Sequence, residues 1–434
     1  MAASLGCAEE YLIVLHYRGG PHKGIAAVVE RPVSIKWQRI LDGISACQIV
    51  VSKPLCGSLT KALDPSIVQN PEWAYEITVY RDQDVEPVWC GPLVTYTETR
   101  TTITLAAADL LAWLKMRPIP VDYRYTGKSS LDASELAAWV MNEAYALDDP
   151  DARAGIVVTA AGIPASRRGQ AYTEVAWDAI NALTTAHIDL TCVVRTILVG
   201  PEQHSVLGRV LHLTEEDFAG SDGPTIERDG YSAATMYTAR AQGIQGVAAD
   251  PNAANPTNSN WVDIHAIKKE GEDGTPELTQ PDKIPDAATV QAQTPPNLAT
   301  VGGTETGWRG LLWQQRGMQG TRLIDEVTLT AQRGLRRGRH PHYLRMESSQ
   351  LSPRAPVPMT DLIPGARVML HLDETWVRPL NTPMRLTNVD VTFDAKGEHV
   401  SIACEPVSIN VEDPSDEDDM SDTDDDAEAA RGTR

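Results

Sequence analysis

Tyr75, Ile77 and Val79 alternate with Glu76, Thr78 and Tyr80. A period of two sends successive side chains to opposite faces. The stretch therefore reads as a β-strand with one face in a core and the other towards water. Similar runs recur through the first 127 residues: the apolar 10–18 (EYLIVLHYR), 25–31, 46–52, and 88–97 with 101–106, the last two spaced as a hairpin. Gly19-Gly20-Pro21 and Gly91-Pro92 punctuate them. Many short strands at this spacing predict a small barrel-like or sandwich domain over 1–127. One short helix is expected at 107–116, ended by Pro118.

The period changes after residue 128. Ser129-Ser130 precede 131–147, which reads as a capped helix. Thr173 is positioned to cap a second helix, in which Ala176, Ile180, Leu183 and His187 share one face. Strands are expected at 188–199 and 206–213. Residues 128–232 thus read as an α+β module inserted beside the first domain.

A third segment, 233–410, returns to β. Strands are expected at 261–268, 322–331, 343–347, 367–373, 385–393 and 399–404, with a short helix at 311–318. The turn Asp394-Ala-Lys-Gly397 would join the last two strands. Residues 270–307 are rich in Pro, Thr, Gly and Asp and lack periodicity, so they read as a long loop. The hairpin 92–98/101–107 resembles the hairpin 384–392/399–404, each an alternating strand, a turn and another alternating strand. Either the chain carries two similar barrel-like domains, or the two hairpins share only what any hairpins share. The expected class is mainly β with α+β: two small β-barrel-like domains and an inserted module.

The chain is acidic, with 59 Asp and Glu against 38 Lys and Arg, for a net charge of −21 over 434 residues. Eleven of the acids fall between Glu412 and Glu428 with no base among them. That density predicts a disordered tail over 411–434. Its acids lack the glycine of a calcium loop. An acidic body disfavours nucleic-acid binding, and no sequence-specific nucleic-acid contact is expected. No apolar stretch approaches the length that spans a membrane as a helix. Six cysteines (7, 47, 56, 90, 192 and 404) form no Cys-x-x-Cys pair and read as free thiols. Leu5-Gly6-Cys7 lacks the basic and apolar stretches of a lipoprotein leader, so synthesis in the cytoplasm is expected. Ten Trp and twelve Tyr stand beside two Phe, and Arg outnumbers Lys. Trp, Tyr and Arg favour interfaces, although a GC-rich genome yields the same Arg excess.

Catalytic signatures are missing. There is no Gly-x-Gly-x-x-Gly, phosphate-binding loop, His-Glu-x-x-His or Gly-x-Ser-x-Gly. His340-Pro-His342 has no Cys or acid at ligand spacing and reads as surface histidines. His187 reads as a core or boundary residue. Ser34, His16 and scattered acids could meet in space, but no spacing asks for a triad. No catalytic, cofactor-binding or metal-binding residue is assigned, and no enzyme activity is expected. Arg333, Arg336, Arg337, Arg339 and Arg345 form a basic stretch without acids. It suits phosphate, an acidic partner or the acidic tail, or it is a solvated hairpin tip.

Three motifs carry a resemblance to a family. They are Trp37-Gln-Arg39-Ile-Leu-Asp42-Gly-Ile-Ser45 before a strand, Tyr80-Arg-Asp-Gln-Asp84 leading into Val88-Trp89-Cys-Gly91-Pro92, and Ala106-x-x-Asp109-Leu-x-x-Trp113-Leu-x-x-Arg117. Pro364-Gly365 before 367–372 adds to them. The chain resembles the minor tail proteins of long-tailed actinobacterial phages, of the tail-hub type. The resemblance is dense over 10–120 and thin beyond it. Cys90 and Gly43 depart from the family's pattern.

The resemblance implies a homotrimeric ring in the virion's tail tip, below the distal tail protein, with two barrels per subunit. It also implies a channel shared with the tape-measure protein and DNA, and contacts with other tail-tip or fibre proteins. The competing functions are a tail-associated cell-wall hydrolase and a host-surface adhesin. The missing catalytic motifs favour the hub.

Overall fold

The structure is a computed structural model. It describes residues 4–29, 31–53, 57–64, 71–82, 85–125, 129–165, 167–184, 188–201, 210–220, 223–228, 236–242, 261–267, 277–279, 300–301, 304–305, 313–318, 344–372 and 380–406. The first segment contains β1 (Tyr11–Tyr17), β2 (Ile25–Val29), β3 (Ser34–Ile40), β4 (Ala46–Ser52), α1 (Gly57–Ala62), β5 (Tyr75–Arg81), β6 (Trp89–Glu98), β7 (Thr102–Ala108), α2 (Ala112–Lys115) and β8 (Tyr123–Tyr125). Next come β9 (Leu131–Asp132), α3 (Ala133–Tyr145), β10 (Gly155–Val158), β11 (Pro164–Ala165), β12 (Arg167–Gly169), α4 (Ala176–Thr184), β13 (Ile188–Val193), β14 (Thr196–Pro201), β15 (Val210–Thr214) and β16 (Ile226–Arg228). The third segment holds β17 (Met236–Gln242), β18 (Trp261–Ile267), β19 (Glu277–Thr279), β20 (Thr300–Val301), β21 (Thr304–Glu305), β22 (Trp313–Met318), β23 (Leu344–Gln350), β24 (Arg367–Leu372), β25 (Leu380–Asp394) and β26 (Gly397–Pro406).

The chain is mainly β, and its sheets are not closed into barrels. Strands of all three segments join one sheet in the order β16-β23-β26-β25-β3-β4-β7-β6-β5-β1-β2, with β24 on β25 and β15 on β24; β15 and β16 come from the second segment. The junction is β25. Its first half pairs with β24 from Arg367↔Arg385 to Leu372↔Leu380, and its second half pairs with β3 from Asn388↔Ile40 to Phe393↔Ile35. Trp37 on β3 is wholly buried in a single apolar cluster that runs from Leu5 to Cys404. Ile35, Trp37, Val389 and Val391 meet in it. A second core lies under α2, α3 and α4, which cover the sheet β10-β14-β13. A further sheet has the order β19-β18-β17-β22.

The expected strands at 10–18, 25–31, 46–52, 88–97, 101–106, 261–268, 343–347, 367–373, 385–393 and 399–404 each find a counterpart within a few residues at either end. Ala395 and Lys396 make the tight turn between β25 and β26, where Gly397 takes φ +103°. Several local expectations differ. The helix expected at 107–116 is only α2, because Ala106–Ala108 remain paired with β4. The cap of α3 is Asp132, whose carboxylate accepts the Ser134 N–H at 2.9 Å, and not Ser129 or Ser130. Asp132 also accepts the Ala161 and Ile163 N–H groups, so one side chain starts the helix and holds the chain returning beside it. Thr173 is not the cap of α4. Its hydroxyl donates to the Gln170 carbonyl, and the helix begins at Ala176.

Residues 188–199 form a hairpin rather than one strand, turning where Val194 takes φ +54°. The helix expected at 311–318 is instead β22, in parallel pairing with β17 from Met236↔Trp313 to Ala241↔Met318. A neighbouring strand overrides weak helical preference in so short a piece. Within 270–307 three short strands appear. His187, the strand at 322–331, His340 and His342, Arg333, Arg336, Arg337 and Arg339, and the acidic tail all lie outside the described residues.

Candidate functional site: ionic joints between the segments

The half-buried reading of β5 needs correction. Glu76 and Thr78 are as buried as Ile77 and Val79. Both faces of β5 are covered because the α+β module packs beside it. Arg195, at the turn between β13 and β14, reaches the Glu76 carboxylate, and Glu76 also accepts the Gly19 N–H at 3.1 Å. Burial leaves Glu76 above its ordinary pKa despite Arg195. A buried carboxylate persists only with such partners.

Three more joints follow the same logic. Arg18, at the end of β1, pairs with Asp148 beyond α3, and Arg117 approaches the same carboxylate at 2.6 Å. The Arg18 guanidinium lies 4.0 Å from the centre of the Trp113 ring. Arg81 on β5 donates from Nη2 to Glu398 at 2.6 Å, and the Tyr11 hydroxyl donates to the same carboxylate at 2.5 Å. Burial would raise Glu398, but Arg81, Tyr11 and the Ala8 N–H together bring it below its ordinary range. Arg385 on β25 donates to Asp189 on β13 at 2.6 Å and also pairs with Glu405. Arg195–Glu76 and Arg18–Asp148 tie the first segment to the second. Arg81–Glu398 ties the first to the third, and Arg385–Asp189 the third to the second.

The residues that carry the family resemblance lie at these same junctions. Arg39 donates to the carbonyls of Met359, Leu362 and Val88, binding the loop before β24 to the first segment. Burial pushes its pKa down to about 10. Asp42, at φ +54°, exchanges two bonds with Leu190: its N–H donates to the Leu190 carbonyl, and its carboxylate accepts the Leu190 N–H. Asp109 accepts the N–H groups of Ser45 at 2.7 Å and Leu111 at 3.0 Å. It thereby fixes the β3–β4 turn to the start of α2, and burial raises its pKa to about 7. Gly91 is required by close approach, since a Cβ there would lie 1.9 Å from the Ala108 carbonyl oxygen.

Ser34 and His16 do not come together as a catalytic pair. Ser34 pairs with Val50 on β4, whereas His16 lies opposite Glu76 in the β1–β5 register. Burial lowers the His16 pKa, keeping the ring neutral. Cys90 is buried beside Thr78, and burial pushes its thiol up to about 11, the reverse of a nucleophile's environment. Among the described residues no group of three or more His, Cys, Asp or Glu could hold a metal ion, and no helix is long and apolar enough to cross a membrane. Of the basic stretch, Arg345 is described; it lies in β23 opposite Glu227. Sequence reading missed Glu76, Asp148, Asp189, Arg195, Arg385 and Glu398. A single charge inside an apolar strand, as at Glu76, was the available signal.

No protein-family model and no curated protein matches the chain. Solved structures do. A tail protein from Neisseria meningitidis MC58 superposes with a TM-score of 0.50 at 11% identity, over 92% of this chain and 97% of that one. The 43 kDa tail protein of prophage MuSo2 from Shewanella oneidensis gives 0.54 at 11% identity, over 91% and 98%. The chain therefore shares the fold of these tail proteins along nearly its whole length.

Proposed function

We propose that this chain is a structural component of a bacteriophage tail tip. Three copies form a hub ring that joins the distal tail ring to the tip and surrounds the channel used by the tape-measure protein and DNA. The carrying observation is the fold shared with two tail proteins, one of them from a prophage, over almost their full lengths. Segments 1–127 and 233–410 act as the two β domains of the ring, with 128–232 as a module fixed to them.

The ionic joints support the reading. A tail hub must hold its neighbours in register under load, and buried, directional pairs between segments resist sliding of one on another. Identical chains joined head to tail close into rings. The net charge of −21 suits a channel wall, because like charge does not trap DNA phosphates. On this reading the protein works by shape and contact, in the virion, after synthesis in the host cytoplasm.

The test is electron imaging of intact particles with an antibody against this chain. Label at the tail end supports the proposal; label on the head or along the tube overturns it. Zymography on host cell walls tests the competing hydrolase, which clearing by the purified protein would favour.

A further inference from the structure

The hairpins β6–β7 and β25–β26 match in more than alternation. Each carries a register irregularity at the same place: between Leu93 and Thr95 opposite Ala107 and Ala106, and between Leu386 and Asn388 opposite Cys404 and Ala403. Each first strand is joined along its early half by one strand, β5 on β6 (Glu76↔Pro92) and β24 on β25 (Arg367↔Arg385). Before that strand a residue with positive φ, Trp73 at +62° or Gly365 at +93°, donates its N–H at 2.7 Å to the carbonyl of Leu93 or Leu386. Outside each second strand lie two more: β4 then β3 on β7, and β23 then β16 on β26. The two β units are repeats of one design, with Leu93 equivalent to Leu386 and Ile226 to Trp37.

The repeats differ at one edge. In the second, the late half of β25 receives β3, the outermost strand of the first, through Arg39↔Val389, Gln38↔Asp390 and Trp37↔Val391. In the first, the same edge of β6 carries no strand among the described residues, and Thr95, Thr97 and Glu98 are exposed. The outer edge of β16, equivalent to that of β3, likewise carries none among the described residues. The two edges lie seven strand-to-strand steps apart along the open sheet of one chain.

We propose that β16 of one copy pairs with the late half of β6 of a second copy, repeating between chains the junction that β3 and β25 make within one. Transposed through the equivalence, the register is Arg228↔Tyr96, Glu227↔Thr97 and Ile226↔Glu98, in antiparallel sense. Unpaired strand edges are templates for such addition, and the geometry that satisfies one repeat satisfies the other. The contact is head-to-tail, with different patches on the two partners, so each added copy presents a fresh edge until the ring closes. For ring closure this inference rests on the hub reading; for the contact itself it rests on the repeat.

The test uses the full chain with Thr97→Cys and Glu227→Cys together in a Cys7→Ser background, oxidised across a concentration series. Directly opposed antiparallel residues lie about 4.5–5.5 Å apart at Cα, within disulfide reach. The expected result is disulfide-linked multimers from the double variant and none above background from either single variant. Equal dimer yields from a single variant would overturn the proposal in favour of a two-fold contact. Sedimentation of the uncoupled protein separates the remaining outcomes. Multimers without interchain disulfides sink this contact and leave the hub reading standing. A chain that stays monomeric and unlinked throughout counts against both.

Discussion

Arg385 on β25 and Asp189 on β13 meet at 2.6 Å with both side chains almost fully buried, although 196 positions separate them. The pair adds an ionic contact to the strand pairings β15–β24 and β16–β23, by which residues 128–232 already join the sheet of the third segment. Removing one partner strands the other charge in an apolar setting. Arg385→Ala should cost on the order of 3–5 kcal/mol in chemical denaturation. Replacing Arg385 and Asp189 together by apolar residues of similar size should cost markedly less than the single change. Equal losses would show that the pair contributes packing rather than charge compensation.

Glu398 sets an acid limb. Its folded pKa is depressed, so its contribution is fully present above the unfolded value of about 4.3 and fades as pH falls through the lower folded value. Glu398→Gln should be less stable than the parent at pH 7, and the gap should narrow below about pH 4. Thermal unfolding of both proteins from pH 3 to 7 reads this directly. A pH-independent gap would mean that Arg81 does not recognise the charge.

Asp109 has the opposite sign. Its folded pKa is raised to about 7, so between the unfolded value of about 3.9 and 7 the folded chain holds the extra proton. Stability from this group therefore falls as pH rises through that window and levels off above it. Asp109→Asn, which retains one carbonyl acceptor, should flatten that slope in the same scans.

Gly91 has no room for a side chain. Gly91→Ala should destabilise by about 3 kcal/mol or more, because the Ala108 backbone must move. Gly57→Ala is the control: its Cβ meets nothing within 4 Å, and the change should stay within about 1 kcal/mol. Matching losses at the two sites would discredit the close-approach argument.

Thiol labelling maps the core. Cys7 is exposed, whereas Cys47, Cys90, Cys192 and Cys404 are buried. Iodoacetamide at neutral pH should modify Cys7 at once and the other four only after denaturation, as peptide mass spectrometry would show. Rapid native labelling of Cys90 would contradict its burial beside Thr78.

Local pattern made much of this fold legible. The strands of the first segment and the hairpin at Asp394–Gly397 follow from alternation and turn chemistry. The helical face Ala176, Ile180, Leu183 is buried as its spacing requires. The motifs around Trp37, Gly91 and Asp109 marked the right places without revealing their work, since each acts on a segment far away in sequence. The start of α3 depended on the Asp132 side chain, and the fate of 313–318 on pairing with β17, a strand far earlier in the sequence, neither of which a local rule identifies.

The amino-acid order alone determined the mainly β class, the change of period near residue 128, and the concentration of acid beyond Glu412. Tertiary structure decided which faces of β5 are buried, which charges pair, and that β strands of all three segments share one sheet. The reason is physical. Periodicity records how a strand meets its nearest layer, whereas a second covering layer, or an ion pair across 196 residues, exists only once the chain has closed on itself.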